Sequence, residues 1–171
     1  MSSEYIFNMA ERALDRYDTR DPFTIARESG VRVYFRDDFR RLKGMYSVVH
    51  GNRCIFINGN LPEYRRRIVC AHELGHDELH RELASETLFR EYALYDMKNR
   101  SEYEANVYAA HVLLDMDEIL RLIRGNYDAY HIASEMGTDI NLLLIKINEM
   151  NRQGYGLNLP YIPRGDFLKE D

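Results

Sequence analysis

The pentapeptide His72-Glu73-Leu74-Gly75-His76 constrains this chain more than any other stretch, because of the pattern it sits in. Ile68, Ala71, Gly75 and Leu79 recur at intervals of three and four, and Asn60 with Pro62 marks a start, so the spacing predicts a helix over 63–80. Residues four apart on a helix share one face, about 6 Å apart along the axis. The two imidazoles can therefore converge on a single ion. Glu73 projects beside them, where a carboxylate can take the proton of a metal-bound water. Ile68, Val69, Cys70 and Ala71 run unbroken into the motif, which predicts burial, and buried imidazoles need partners. A solvated helix with incidental histidines would not carry that apolar approach. Gly75 costs about 1 kcal/mol of helix propensity relative to alanine and lets a second element come close.

Two histidines leave a zinc site short of a protein ligand. His80 continues the series, but it lies about 12 Å along the axis from His72, too far for bonds of about 2.1 Å to one ion. It reads instead as a helix-terminal histidine or a group supporting a ligand. The segment 101–110 offers the missing carboxylate, on a helix whose Ala105 and Ala109 permit tight packing. Glu102 and Glu104 point about 200° apart, so only one can face the metal helix. The apolar stripe through Ala105, Ala109, Val112 and Leu113 favours Glu102. Ser101 and Glu104 have the spacing of a capping box, and Glu104 stands as the alternative ligand. Asn106, one turn on from Glu102, is placed to steady that carboxylate. Attack of a metal-bound hydroxide on a carbonyl also needs a group to stabilise the oxyanion, and Tyr103, Tyr108 and His111 are the candidates.

The remaining chain predicts an α+β class. An amphipathic helix runs through Tyr5, Ile6, Met9, Ala10, Ala13, Leu14 and Tyr17, and a short one over 22–29 closes at Gly30. Alternation from Val31 to Arg36, then β-rich runs over 45–49 and 54–57, predict a strand and a hairpin turning at Gly51-Asn52. Residues 83–98, with Leu83, Leu88, Phe89, Tyr92 and Tyr95, are helix or a long loop. Helices follow from Ser101, from Asp117 to Gly125, over 128–136 and over 139–151, before a tail punctuated by Gly and Pro. At 171 residues, 45% apolar, the chain is expected to form one domain over 1–171, with a helical hairpin at about 128–151.

No apolar run approaches the roughly 18 to 20 residues of a membrane span, and the N-terminus lacks the basic-then-apolar order of a signal peptide. Cys54 and Cys70, the two cysteines, lie in apolar stretches unsuited to a disulfide scaffold or a cysteine-built zinc site, so the cytoplasm is the expected compartment. The net charge of −5 hides an uneven distribution, +6 over 27–67 against −9 over 68–171. Residues 128–151 have the look of a helix-turn-helix, but their net charge of −3 opposes phosphate contact, and direct nucleic-acid binding is not expected.

HELGH after Ala71 and before His80, the Glu102-x-x-Ala105-Asn106 run, and Ala109-Ala110-His111-Val112-Leu113-Leu114 together resemble the ImmA/IrrE family of bacterial and phage metallopeptidases. Asp21-Pro22 before Ile25-Ala26, Leu42-Lys43-Gly44, Ile55-Phe56-Ile57-Asn58, and Ile132-Ala133 leading to Gly137 extend the resemblance over about 20–155. It implies a zincin-like core, with a small sheet beside the metal helix, one zinc per chain, and cleavage of a repressor that carries a helix-turn-helix domain. Its register places the third ligand at Glu102. Where the family usually continues its paired leucines into Met-Pro, this chain has Asp115-Met116, a change that bears on a helix stop.

The expectation is therefore a zinc endopeptidase. His72, His76 and Glu102 bind the metal, and Glu73 acts as general base and then as proton donor to the leaving amine. The alternative from another class is a metal-containing protein that sequesters a regulatory partner without turnover, a role with no use for Glu73. A deformylase-like hydrolase would need a cysteine ligand that neither Cys54 nor Cys70 is placed to give.

Overall fold

The computed structural model describes residues 1–85 and 95–158. Leu88, Phe89 and Tyr92, and the end of the Gly/Pro-punctuated tail, lie outside the described residues. The chain opens with α1 (Ser3–Tyr17), capped by Ser2 Oγ, which accepts from the Tyr5 N–H. The helix α2 (Pro22–Glu28) starts at Asp21, whose carboxylate accepts from the Thr24 N–H at 2.9 Å while Pro22 supplies a preset φ.

Three strands follow: β1 (Arg32–Arg36), β2 (Gly44–Val49) and β3 (Asn52–Asn58), in the spatial order β1-β3-β2. The β2–β3 pair is an antiparallel hairpin in which Val49 faces Asn52. Its two-residue turn is His50-Gly51 rather than the expected Gly51-Asn52. Both residues have positive φ (48° and 76°), as a primed hairpin turn demands, and Asn52 already belongs to β3. The β1–β3 pair is parallel, with Tyr34 opposite Phe56.

Ile55 and Ile57 of β3 are fully buried, and the face they share with Arg53 turns toward α3 (Glu63–Ser85). Arg53 reaches across to the buried Asp77 of α3 at 2.7 Å, and Arg81 also pairs with Asp77. A charge on the central strand and a carboxylate on the helix thereby fix how the two layers align. Helix α3 is longer than expected and is interrupted at His80, whose backbone leaves helical geometry (φ −131°, ψ 21°).

The next helix, α4 (Tyr95–Leu113), begins six residues before Ser101. Ser101 is thus inside the helix, and the capping-box role expected for Ser101 with Glu104 does not apply. From Glu104 to Val112 every residue of α4 is buried, because α3, α1 and α7 (Ile140–Arg152) all pack on it. Arg20 closes its C-terminal end, donating to the carbonyls of His111 (3.0 Å) and Val112 (3.1 Å) and pairing with Asp115 (2.9 Å). Asp115 in turn caps α5 (Met116–Arg124) through the Glu118 N–H, so Asp115-Met116 forms the joint between the two helices. The next two helices, α6 (Ala129–Glu135) and α7, start at Asp128 and Asp139. In α7 residues 142–147 are all buried, so it is a core helix with no side left to lay in a DNA groove.

The result is an α+β architecture in which a three-stranded sheet flanks α3 on one side and a helical layer covers the other, consistent with a zincin-like core. None of the helices over the described residues is long and apolar enough to cross a membrane.

Candidate metal centre

His72, Glu73 and His76 lie mid-helix in α3, and the approach of α4 supplies what they lack. A Cβ on Gly75 would lie 2.9 Å from Ala105 Cα and 3.0 Å from its carbonyl oxygen, so the two backbones touch at that point. Glu102, one turn before Ala105, is carried against the histidines. His72 Nε2 is 3.1 Å from His76 Nε2 and 3.2 Å from Glu102 Oε2, and His76 Nε2 is 3.7 Å from Glu102 Oε1. Donors bound to a tetrahedral zinc at about 2.0–2.1 Å stand about 3.3 Å apart. The three spacings bracket that value, so the donors have the size of one face of a zinc tetrahedron.

The donor chemistry fits as well. Asn106 Oδ1 accepts from His72 Nδ1 at 2.8 Å, which leaves the Nε2 lone pair facing the cluster. Asn106, expected to steady the Glu102 carboxylate, thus holds an imidazole. Burial opposes charge on His72, yet its hydrogen bond to Glu102 and the Glu73 charge outweigh that and raise its pKa. Burial and the neighbouring His72 push His76 down to about 3. One positive charge is drawn to the cluster, and a second histidine stays neutral as a ligand must.

Glu73 is 6% exposed, and burial pushes its pKa up to about 7, with His72 opposing and Glu102 adding to the rise. The Tyr46 backbone N–H donates to its carboxylate. This contact depends on Gly44 at the start of β2, where a Cβ would come within 2.8 Å of Glu73 Oε1. Neither Tyr46 nor Gly44 is singled out by a spacing rule. The only trace of them is the Leu42-Lys43-Gly44 run that leads into the hairpin.

Glu104 faces away from the cluster. Its carboxylate takes His80 Nε2 at 3.0 Å, Arg100 Nε at 3.1 Å and the Met1 amine, which removes it as a third ligand in this geometry. The oxyanion candidates also point elsewhere. The Tyr103 hydroxyl bonds Glu149 (3.3 Å) and Asn148 (3.4 Å) on α7. His111, half a turn around α4 from Glu102, has its Nδ1 3.1 Å from the buried Lys146 Nζ and its ring edge-on to Phe7. The Tyr108 hydroxyl is buried without a hydrogen-bond partner among the described residues, and the acidic groups acting on it are Glu78 and Asp77.

Residues 26–148 match the sequence model of the IrrE N-terminal-like domain, and the chain belongs to that family of metallopeptidases. It is similar to "Uncharacterized immunity region protein 2" of Bacillus phage phi105, at 33% identity over 104 residues. That alignment covers 61% of this chain and 65% of the phage protein, just under two thirds of the relative's length. No solved structure matches the chain.

Proposed function

We propose that this protein is a zinc-dependent endopeptidase that cleaves a helix-turn-helix transcriptional repressor and so relieves repression, acting in the cytoplasm. His72, His76 and Glu102 are the zinc ligands in this reading and Glu73 is the base. The observation that carries it is a buried carboxylate set beside three donors at zinc spacing. A site that only stored metal would gain nothing from Glu73 and would lose stability by burying it.

Zinc held there would supply a Lewis acid that acidifies water and polarises a carbonyl. Glu73 takes the proton of the attacking water on its carboxylate and returns it to the amine that leaves. A carboxylate held beside the cluster and out of bulk water can serve both halves of that exchange, first as base and then as acid. Tyr46 N–H keeps the carboxylate oriented during the transfer. Strand β2 lies at the edge of the sheet, directly above Glu73, so an extended substrate segment can add to it by backbone hydrogen bonds and present its peptide bond to the base. The immunity-region name of the phage relative supports a regulatory protein as that substrate.

Co-expression with the repressor encoded nearest to this chain tests the proposal. Wild type yields two repressor fragments, and Glu73→Gln, with zinc content unchanged, yields none. Repressor that remains whole but is bound in a stable complex by the wild type would replace cleavage with sequestration.

A further inference from the structure

Helix α3 departs from helical geometry at His80, and that residue is 8% exposed although it ends the polar series 72, 76, 80. A regular helix would stack His80 one turn above His76, out toward the helix end. Instead the ring lies between His76 and α4. His80 Nδ1 is 3.2 Å from His76 Nδ1, and His80 Nε2 is 3.0 Å from Glu104 Oε2. The two rings are tilted by 50° with centroids 5.3 Å apart, an arrangement set by the nitrogens rather than by stacking.

The direction of the hydrogen bonds follows from Glu104. Its carboxylate also takes Arg100 Nε at 3.1 Å, and an ionised carboxylate beside a guanidinium can only accept. His80 Nε2 must therefore carry a hydrogen. In a neutral imidazole that leaves Nδ1 as the acceptor, so the hydrogen in the His76–His80 contact belongs to His76 Nδ1. His76 Nε2 is then a bare lone pair, and it is this nitrogen that lies 3.1 Å from His72 Nε2. On the other ligand Asn106 produces the same tautomer through a single contact.

We propose that His80 and Glu104 are positioning residues, a two-link relay that fixes the tautomer and ring orientation of His76 for metal binding through Nε2. The inference rests on the metal-site reading above. It explains why a polar pair is buried 24 residues apart in sequence, and why the helix gives up a regular turn at His80. It also gives Glu104, which does not reach the cluster, an electrostatic role in the site. Such supporting groups are worth about 10- to 100-fold in metal affinity.

The test uses the full chain in four forms: wild type, His80→Leu, His80→Gln and Glu104→Gln. Zinc affinity is measured by competition with a chromophoric chelator, the absorption of the cobalt-substituted proteins reports ligand geometry, and 15N shifts of the metal-free proteins report the His76 tautomer. His80→Leu is expected to lose about 10- to 100-fold in zinc affinity, with a weakened tetrahedral cobalt band and a mixture of His76 tautomers. His80→Gln keeps a side chain that can both accept and donate, and is expected to recover much of that loss. Glu104→Gln is expected to lose affinity in the same sense while folding normally, which keeps the proposal falsifiable should His80→Leu not fold.

Zinc affinities of His80→Leu and Glu104→Gln within twofold of wild type, with an unchanged cobalt spectrum, would overturn the relay and leave the metal site standing. Wild type that binds no more zinc than a His72→Ala variant would overturn the metal site and the relay together.

Discussion

Alanine at position 75 adds one carbon at the tightest point between α3 and α4. The new Cβ would meet Ala105 Cα at 2.9 Å, its carbonyl oxygen at 3.0 Å and its Cβ at 3.3 Å. None of those atoms can rotate away, and carbon contacts prefer about 3.5–4.0 Å, so α4 must retreat by about 0.6–1 Å. Overpacking of this kind costs about 1–3 kcal/mol, while replacing glycine in a helix interior returns about 0.8–1 kcal/mol. The net expectation is a loss of about 1 kcal/mol, read in a urea melt of the metal-free protein. The metal site suffers more, because only α4 moves. Both spacings to Glu102 widen from 3.2 and 3.7 Å, which takes the first past the tetrahedral edge and the second further from it, while the His72–His76 spacing stays at 3.1 Å. Zinc affinity measured by chelator competition should fall by about tenfold or more. A Gly75→Ala protein stabilised by about 1 kcal/mol, as helix propensity alone demands, with zinc affinity unchanged, would refute the claim that this glycine sets the distance between the ligand helices.

Glu73 has a folded pKa near 7, raised mainly by burial, so between about pH 4.5 and 7 the metal-free folded state binds more protons than the unfolded one and stability falls as pH rises. Glu73→Gln should therefore stabilise the metal-free protein at pH 8 by up to about 3 kcal/mol and by little at pH 4.5, and equal urea midpoints shifts at both pH values would contradict the assignment. Lys146 is 3% exposed and burial brings it down to about 8; the folded state sheds a proton that the unfolded chain keeps up to about pH 10.5, so stability rises with pH through that window. Lys146→Met should be more stable than wild type at pH 7 by up to about 3 kcal/mol, an advantage that shrinks toward pH 10 and that a pH series of thermal melts would follow. Gly44→Ala places a carbon against both Val69 Cγ1 and Glu73 Oε1, which forces β2 away from α3, and should lower repressor cleavage more than zinc content, measured by gel and metal analysis.

What could be read from the sequence is what short-range chemistry controls. The HELGH pair, four residues apart, needs only a helix to converge, and the helix announces itself through Ile68, Ala71 and Leu79. Asp21, Asp128 and Asp139 start helices by accepting from backbone N–H groups two or three residues on, so those boundaries are local as well, whereas α5, expected from Asp117, is capped by Asp115 two residues earlier. Helical rotation likewise says that Glu102 and Glu104 point apart. The contact of Gly75 with Ala105 in three dimensions puts Glu102 on the histidines. The parallel pairing of β1 with β3, the Tyr46 N–H on Glu73, Asn106 on His72 and Glu104 on His80 join residues 22 to 34 positions apart on different elements. No periodicity encodes such contacts, because they depend on how far one packed element slides along another before its side chains interlock. The interrupted turn at His80 belongs with them: four residues after His76 a regular helix continues by default, and only the buried carboxylate waiting on α4 accounts for the ring lying where it does.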